Sequence, residues 1–384
     1  MLDIDSDGFD PDSFDPDNWP PHPRTNPLLQ GHDEAQKALL EAYYSERMHH
    51  AWLITGPKGI GKATLAYRFA RFVLSQGPVN AGPSLFGDAL PAVRAENLDV
   101  SPEHPVFKRI AAGAHADLLG IERRINEKTG KLKTVIDVDS VREVGHMMTQ
   151  TAAEGGWRVV IIDAADEMNP NAANAVLKVL EEPPRNALLL LVSHNPGRLL
   201  PTIRSRCRTL QLRPLTPEWV VELTGIYAPQ VSTEDAMHLA ELSDGSIGRA
   251  LGLVAEGGLE LYNELMSLLH TLPRLDVKAL HALADKVSRA DADEAFNTVT
   301  GLLRWWLERM ILIAAGKSGV SGPVKSADAG FMANLANQAS LERWFFVWEK
   351  INQLVARTNG LNLDKKQVML DVFLGLENTV RPAR

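Results

Sequence analysis

The sequence predicts an α/β domain on a parallel sheet, followed by two all-helical units. Residues 26–214 alternate short apolar runs with segments of helical periodicity, which is typical of α/β domains. The runs at 51–55, 158–162 and 188–192 are continuous rather than alternating, as expected for parallel strands covered on both faces. From residue 215 onward helical periodicity dominates, and we place a small helical unit at 215–257 and a larger one at 258–384.

Length and composition predict a globular protein of two or three domains. The chain has 384 residues, 45% of them apolar and 23% charged, which is enough apolar material for a core in each domain. No apolar stretch approaches the ~20 residues that cross a bilayer, so we expect no membrane contact. The one cysteine, Cys207, excludes an internal disulfide and a cysteine-rich zinc site.

The formal net charge of -8 is concentrated at the N-terminus. Residues 1–25 hold seven Asp and one Arg among many prolines, a composition that predicts a disordered acidic tail. The tail repeats Phe-Asp-Pro-Asp at 9–12 and 14–17, and two interpretations stay open: a solvated leader, or aromatic residues that dock in a basic, apolar groove on a partner. It lacks the apolar core of a secretory signal, so we expect a cytoplasmic protein.

A phosphate-binding loop follows the first predicted strand. Its glycines let successive backbone N–H groups point at a phosphate, the helix N-terminus adds partial positive charge, and Lys62 reaches the outer phosphate oxygens. The next position should carry Ser or Thr as a Mg²⁺ ligand, but it is Ala63, and Thr64 comes one residue late. The residues predicted to bind phosphate here are Gly56, Gly59, Gly61, Lys62 and Thr64.

The second nucleotide element should be an acidic residue at a strand end, followed by a glutamate that orients the attacking water. Asp163 fits the first role, but the next residue is Ala164. We therefore expect a domain that can bind nucleotide but hydrolyses it poorly or not at all. The alternative that Asp166 or Glu167 substitutes after a register shift stays open. Ser193, at the end of the third predicted strand, lies where parallel sheets place ligand contacts.

The most specific pattern lies between residues 157 and 208. The run AANAVLKVLEEPP at 172–184, followed by Ser205-Arg206-Cys207, resembles the AAA+ subunits of bacterial clamp loaders, and the degenerate nucleotide motifs match one kind of subunit among them. The resemblance extends from about residue 26 to the C-terminus and is weakest in the last 120 or so residues. It implies an AAA+ P-loop domain at 26–214, a helical lid at 215–257 and a collar at 258–384 that oligomerises.

The resemblance also assigns residue roles. Arg206 would reach into the nucleotide site of a neighbouring ATPase subunit and act there in trans, a task that suits a planar, permanently charged guanidinium. Three arginines, at 204, 206 and 208, on a segment predicted to be extended favour an interface at this point. Arg249 matches the family's second sensor, in the chain's own nucleotide site. ATP is the implied ligand, with occupancy left open and hydrolysis not expected.

The partners implied by the resemblance are the other clamp-loader subunits, the sliding clamp and primed DNA within the complex. The large apolar side chains of the last unit suggest both a core and a subunit interface: Trp305, Trp306, Leu307, Trp344, Phe345, Phe346 and Trp348. Many family members carry a four-cysteine zinc module, which this sequence lacks, and His104, His115 and His146 are too scattered to replace it. We therefore predict no zinc.

Three alternatives remain. The chain could be an active ATPase subunit of the same machine, an AAA+ protein of another remodelling pathway, or a free DNA-binding protein. The missing Mg²⁺ ligand and glutamate disfavour the first two, and the acidic charge balance disfavours the third. The segment 108–133, with seven basic and three acidic residues, is the best local candidate for phosphate contact, against the simpler interpretation of a solvated face.

Overall fold

A computed structural model describes residues 20–381, except for 46–47, 78–93, 127, 129, 131, 155, 290–291, 317–325 and 362. The chain forms two compact units, an N-terminal unit up to Trp219 and a C-terminal unit from Val220. The division into lid and collar inside the second unit stays a prediction. It falls at a break between two helices, where Gly257 has a positive φ of 62°.

The N-terminal unit is built on a five-stranded, fully parallel sheet with the strand order β2-β3-β4-β1-β5. This confirms the predicted fold class. The strands are β1 (Ala51–Thr55), β2 (Leu118–Glu122), β3 (Arg158–Asp163), β4 (Ala187–Ser193) and β5 (Arg208–Gln211). The helices are α1 (Asp33–Tyr44), α2 (Lys62–Ser75), α3 (Pro105–Ala111), α4 (Val138–Thr149), α5 (Pro170–Glu181) and α6 (Pro201–Arg204).

Both faces of the sheet are covered, which explains the unbroken apolar runs of its central strands. Along β1, Trp52 and Ile54 pack against α1, α2 and α3, whereas Leu53 faces the opposite side with α4 and α5. All seven residues of β4 are buried. Because alternate side chains enter different cores, no position of a central strand is free for a polar residue until the strand ends.

Part of the predicted acidic tail is built into the N-terminal unit. Residues 1–19 lie outside the described residues, but residues 20–25 have a defined course. The guanidinium of Arg71, only 2% exposed, donates hydrogen bonds to the carbonyls of Arg24 (3.1 Å) and Asn26 (2.8 Å). A buried cation needs acceptors, and these backbone carbonyls supply them. Residues 20–25, which the composition assigns to the disordered tail, therefore belong to the ordered N-terminal unit.

The C-terminal unit is entirely helical in the part that the structure describes. Its helices are α7 (Pro217–Tyr227, which begins at the boundary), α8 (Thr233–Ser243), α9 (Ile247–Ala255), α10 (Gly258–Leu269), α11 (Val277–Val287), α12 (Asp293–Ala314), α13 (Ser326–Ala336), α14 (Leu341–Leu361) and α15 (Lys365–Val380). None of the described helices is long and apolar enough to span a membrane.

The aromatic residues of this unit separate into two sets. Trp305, Trp306 and Trp344 are buried, and Trp306 and Trp344 are among the largest fully buried side chains of the described chain. Phe345 and Phe346 on α14 are 53% and 65% exposed. The first set fills the core of the unit, and the second lies at its surface.

Candidate functional site

The strands that carry the predicted site residues end side by side. In the register of the sheet Thr55 lies opposite Ser193, and Asp163 lies opposite Val192. The carboxyl ends of β1, β3 and β4 therefore bring together the start of the glycine-rich loop, Asp163 and Ser193. Open parallel sheets bind their ligands at the carboxyl ends of the strands.

The glycines of the loop are required by its backbone. Gly56 and Gly61 have φ values of 144° and 100°, and Gly59 has a φ of 78°. A Cβ atom on Gly56 would lie 2.6 Å from the Leu212 carbonyl oxygen, so no other residue fits there. Gly61 is the N-cap of α2, which leaves the first N–H groups of that helix directed at the loop. The loop can thus cradle an anion.

Two contacts of Ile60 hold the loop in place. Ile60 is 1% exposed and packs in the core, and its carbonyl oxygen lies 2.6 Å from Nε2 of His32. Burial lowers the pKa of His32, which keeps the ring neutral at pH 7. His32 belongs to none of the predicted motifs. Its only signal is its position immediately before α1, where it serves as the N-cap residue.

Lys62, the first residue of α2, is 3% exposed and donates a hydrogen bond to the Pro57 carbonyl of its own loop. Burial lowers the pKa of Lys62 to about 8, against the opposing effect of Asp163 and Asp166. Burial also raises the pKa of Asp163 to about 6, with Lys62 opposing. At pH 7 both groups are therefore mainly charged, and a bound phosphate would compete with the Pro57 carbonyl for the ammonium group.

The phosphate half of a nucleotide site fits these residues, but the magnesium half does not. Ala63 packs partly against the core and offers no oxygen, and Thr64 is buried further along α2. Ala164 is 3% exposed and leaves no carboxylate at the position that should orient water. Within the described ranges, no three His, Cys, Asp or Glu side chains are grouped to hold a metal ion.

The two carboxylates weighed as replacements for the missing glutamate, Asp166 and Glu167, have other partners. Strand β3 ends at Asp163, as predicted. Asp166 accepts hydrogen bonds from the backbone N–H groups of His194 (2.9 Å) and Asn195 (3.1 Å), and Nε of Arg123 lies 2.8 Å from Glu167. Burial acts to raise the pKa of Asp166, but these N–H donors, with the Ser193 hydroxyl, hold it below its ordinary value. Asp166 therefore connects the segments that follow β3 and β4.

The remaining wall of the site contains one neutral histidine and one further carboxylate. Burial and the nearby Lys62 ammonium lower the pKa of His194 to about 4, so the ring carries no charge at pH 7. Glu122, the last residue of β2, lies opposite Asp163 in the sheet. Glu122 could not be located from the sequence, because β2 is half-exposed and lacks the continuous apolar run of the other strands.

Arg206 lies near the amino ends of the strands, at the end of the sheet opposite the phosphate loop. Strand β5 runs parallel to β1, with Arg208 opposite Trp52 and Gln211 opposite Thr55, so Arg206 precedes the amino end of β5 while the loop follows the carboxyl end of β1. Its guanidinium lies 2.9 Å from Glu181 Oε1 and donates to the Thr202 carbonyl at 3.0 Å. The side chain is 35% exposed.

The segment around Arg206 is not extended, contrary to prediction. Arg204 ends the short helix α6, whose Pro201 fixes the helical start, and only Arg208 is in a strand. The guanidinium of Arg208 lies 4.8 Å above the ring of Trp52. The three arginines therefore differ in surroundings, and only Arg206 pairs with a carboxylate in the described structure.

Arg249 is tied to residues of its own unit. Its Nη1 donates to Asp244 Oδ2 at 3.2 Å, and its backbone N–H donates to the Ser246 hydroxyl that caps α9. Asp244 also accepts hydrogen bonds from Arg309 and from Trp305 Nε1 (3.3 Å). Burial lowers the pKa of Arg249. Its predicted part in the nucleotide site stays a prediction.

The sheet order, the glycine-rich loop between β1 and α2, and the acidic end of β3 together define an AAA+-type P-loop domain. Comparison with known proteins makes the class more specific. Residues 31–216 match the family described as DNA polymerase III, delta subunit. The chain resembles the AAA+ subunits of bacterial clamp loaders, and among those subunits it is most like delta-prime.

Relatives named DNA polymerase III subunit delta' carry this comparison. The protein of Pseudomonas aeruginosa is 38% identical over 228 residues, which is 58% of this chain and 61% of that protein. The protein of Escherichia coli is 29% identical over 351 residues, covering 90% and 93%. The protein of Bacillus subtilis is 32% identical over 182 residues, covering 47% of each. The chain thus spans about three fifths of the Pseudomonas relative and nearly all of the Escherichia one.

Proposed function

We propose that this chain acts as the delta-prime subunit of a DNA polymerase III clamp loader, helps to load a sliding clamp onto primed DNA, and supplies Arg206 to the nucleotide site of a neighbouring ATPase subunit. The proposal rests on the position of Arg206. It lies at the amino ends of the parallel strands, whereas the phosphate loop lies at their carboxyl ends.

The length of the sheet separates Arg206 from its own loop. The four residues of β5 span about 13 Å, and Arg206 lies beyond one end while the loop lies beyond the other. An arginine side chain cannot cross that distance along the sheet. A role in phosphoryl transfer therefore requires a nucleotide bound by another chain.

The contacts of Arg206 allow such a role. Its ion pair with Glu181 is partly exposed, with the two side chains 35% and 50% accessible. Ion pairs of this kind contribute about 0–1 kcal/mol, so the guanidinium can exchange the carboxylate for a phosphate at little cost. The planar guanidinium donates to two phosphoryl oxygens at once, which a lysine cannot do.

The chain's own site supports binding without turnover. The loop glycines, the N-terminus of α2 and Lys62 would hold the phosphates of a nucleotide. Bound ATP would place its phosphates there, but the side chains that should hold magnesium and orient water are Ala63 and Ala164. The site would then contribute to the shape of the assembly, while hydrolysis takes place on other subunits.

The C-terminal unit offers a surface for assembly. Phe345 and Phe346 project from α14 while their neighbour Trp344 is buried. Exposed neighbouring aromatic side chains are typical of protein interfaces. We propose that this helix contacts the other clamp-loader subunits in the collar of a cytoplasmic hetero-oligomer.

The proposal is tested by Arg206→Ala in a reconstituted clamp loader. The variant should assemble normally, and DNA-stimulated ATP hydrolysis by the complex should fall. Loss of an arginine that acts in trans reduces turnover at one site by ~10³–10⁵-fold in related phosphoryl-transfer enzymes, and the bulk loss is smaller because other sites keep their own arginines. Arg206→Lys should rescue little.

Two controls separate catalysis from structure. Arg204→Ala removes an equivalent exposed charge and should leave hydrolysis unchanged. Glu181→Gln removes the intramolecular partner of Arg206 while keeping the arginine, so hydrolysis should be retained. The proposal is wrong if Arg206→Ala supports full hydrolysis and clamp loading, or if all three variants behave alike.

A further inference from the structure

A basic hairpin with an apolar face follows β2. Ile125 and Leu132 form an antiparallel bridge, and the N–H of Lys133 donates to the Arg124 carbonyl at 2.9 Å. The turn is closed by a hydrogen bond of 2.8 Å from the N–H of Gly130 to the Asn126 carbonyl. We call residues 123–135 the β2 hairpin.

The β2 hairpin carries an apolar patch that no described residue of the N-terminal unit covers. Ile125, Leu132 and Val135 are 64%, 51% and 40% exposed. In the described part of that unit, these three are the exposed large apolar side chains. Directly opposite residues of an antiparallel pair place their side chains on the same face, so Ile125 and Leu132 form one continuous patch.

The charge of the β2 hairpin is strongly positive. Its sequence contains five Lys or Arg residues and one Glu. Lys128 is exposed and pairs with no carboxylate in the part of the chain that the structure describes. The other described cations have partners at the surface: Arg124 with Glu143 (2.8 Å), Lys133 with Asp137 (2.7 Å) and Arg123 with Glu167 (2.8 Å). Exposed ion pairs are weak and exchange partners, so the hairpin favours an acidic, partly apolar ligand.

The first described residues of the chain lie beside this hairpin. Nε2 of His22 lies 3.2 Å from Oε2 of Glu122, the residue that immediately precedes the hairpin. The ring of His22 also packs edge-on against Tyr67, with 6.1 Å between ring centroids. The Arg71 guanidinium fixes the next residues through their carbonyls. The described chain therefore begins close to the β2 hairpin.

The composition of residues 1–19 complements the hairpin. They contain seven Asp and no Lys or Arg, together with Phe9, Phe14 and Trp19. Phe14 is eight residues before His22, a stretch that reaches about 27 Å when extended, which exceeds the length of a hairpin of this size. Tethering raises the effective concentration of such a segment to the millimolar range, which makes even a weak contact highly populated.

We propose that residues 1–19 dock on the β2 hairpin of the same chain, with their aromatic side chains on the Ile125–Leu132 patch and their aspartates beside its basic residues. The test uses the full chain with the photocrosslinking residue p-benzoylphenylalanine in place of Phe14. After irradiation, peptide mass spectrometry should place the crosslinks in residues 123–135 of the same molecule, and their yield should fall as salt is added because the contact is partly ionic.

A matched pair of variants makes the test specific. Ile125→Ser combined with Leu132→Ser should reduce the crosslink yield severalfold, while Val277→Ser, at a position of similar exposure (61%) in the other unit, should not. All these positions are exposed, so the fold should survive, which circular dichroism verifies. Crosslinks spread over other regions, crosslinks between differently isotope-labelled copies, or a yield unaffected by the hairpin variant would each overturn the proposal.

Discussion

The substitution Asp166→Asn tests whether the carboxylate next to the phosphate loop is structural rather than catalytic. Asp166 accepts two backbone N–H bonds, of 2.9 and 3.1 Å, from the residues that follow β4. An asparagine oxygen can keep one of these bonds, but its amide group would then face the second N–H. Each hydrogen bond to a buried charged group contributes about 1.5–3 kcal/mol, so we expect a loss of about 2–3 kcal/mol in the free energy of unfolding.

Thermal unfolding followed by circular dichroism measures this loss. A change of 1 kcal/mol shifts the midpoint by about 2–4 °C in a domain of 150–250 residues, so the N-terminal unit should melt about 5–10 °C lower in the variant. Asp139→Asn is the matched control. The Asp139 carboxylate is 76% exposed and pairs with Arg142 in the same helix. The free energy of unfolding of this variant should therefore fall by no more than about 0.5 kcal/mol.

The pH dependence of the same variant gives a second check. The folded-state pKa of Asp166 lies below the ordinary Asp value of about 3.9. Its stabilising contribution is therefore complete above that value and is lost as the pH falls through the folded-state pKa. The loss in free energy of unfolding caused by Asp166→Asn should be constant from pH 7 to about 5, and it should become smaller in more acidic solution. Equal stability of Asp166→Asn and Asp139→Asn at pH 7 would refute the structural role.

Three further outcomes are expected. Gly56→Ala should lower the free energy of unfolding by about 3 kcal/mol and abolish nucleotide binding measured by calorimetry, because the new Cβ meets the Leu212 carbonyl. Gly77→Ala is the control: a Cβ there meets open space, and the loss should be only about 1 kcal/mol. The purified chain should hydrolyse ATP no faster than buffer, with or without DNA, and turnover near ~1 per second would contradict its degenerate site. Phe345→Ser with Phe346→Ser should keep the helical circular dichroism signal but weaken co-elution with the other subunits, and normal co-elution would contradict the collar interface.

The sequence predicted the elements whose signals are local. Strands β1, β3 and β4 are continuous apolar runs because both faces are buried, and the structure places them within a residue of the prediction. The start of helix α5 also depends on a local signal, because the side chain of Asn169 accepts a hydrogen bond of 2.8 Å from the Ala172 N–H. Strands β2 and β5 lack such runs because they are edge strands with half-exposed faces.

Features that depend on distant residues were not predictable from local patterns. The bonds from Asp166 to the β4 exit and the pairing of Arg206 with Glu181 join segments more than twenty residues apart. The ordering of residues 20–25 depends on a buried arginine of α2, which the acidic, proline-rich composition of the tail does not reveal. The glycine-rich loop, in contrast, was predictable because its spacing and context encode its geometry.

The most direct test of the central claim is a double-mutant cycle on ATP hydrolysis. Arg206→Ala in this chain is combined with inactivation of the phosphate-loop lysine in the neighbouring ATPase subunit, and DNA-stimulated hydrolysis is measured for the four reconstituted complexes. If Arg206 acts on that neighbour's nucleotide, the two changes remove the same activity, and the double variant should hydrolyse ATP as fast as the lysine variant alone. Independent, multiplicative losses would contradict the assignment of Arg206 to that site.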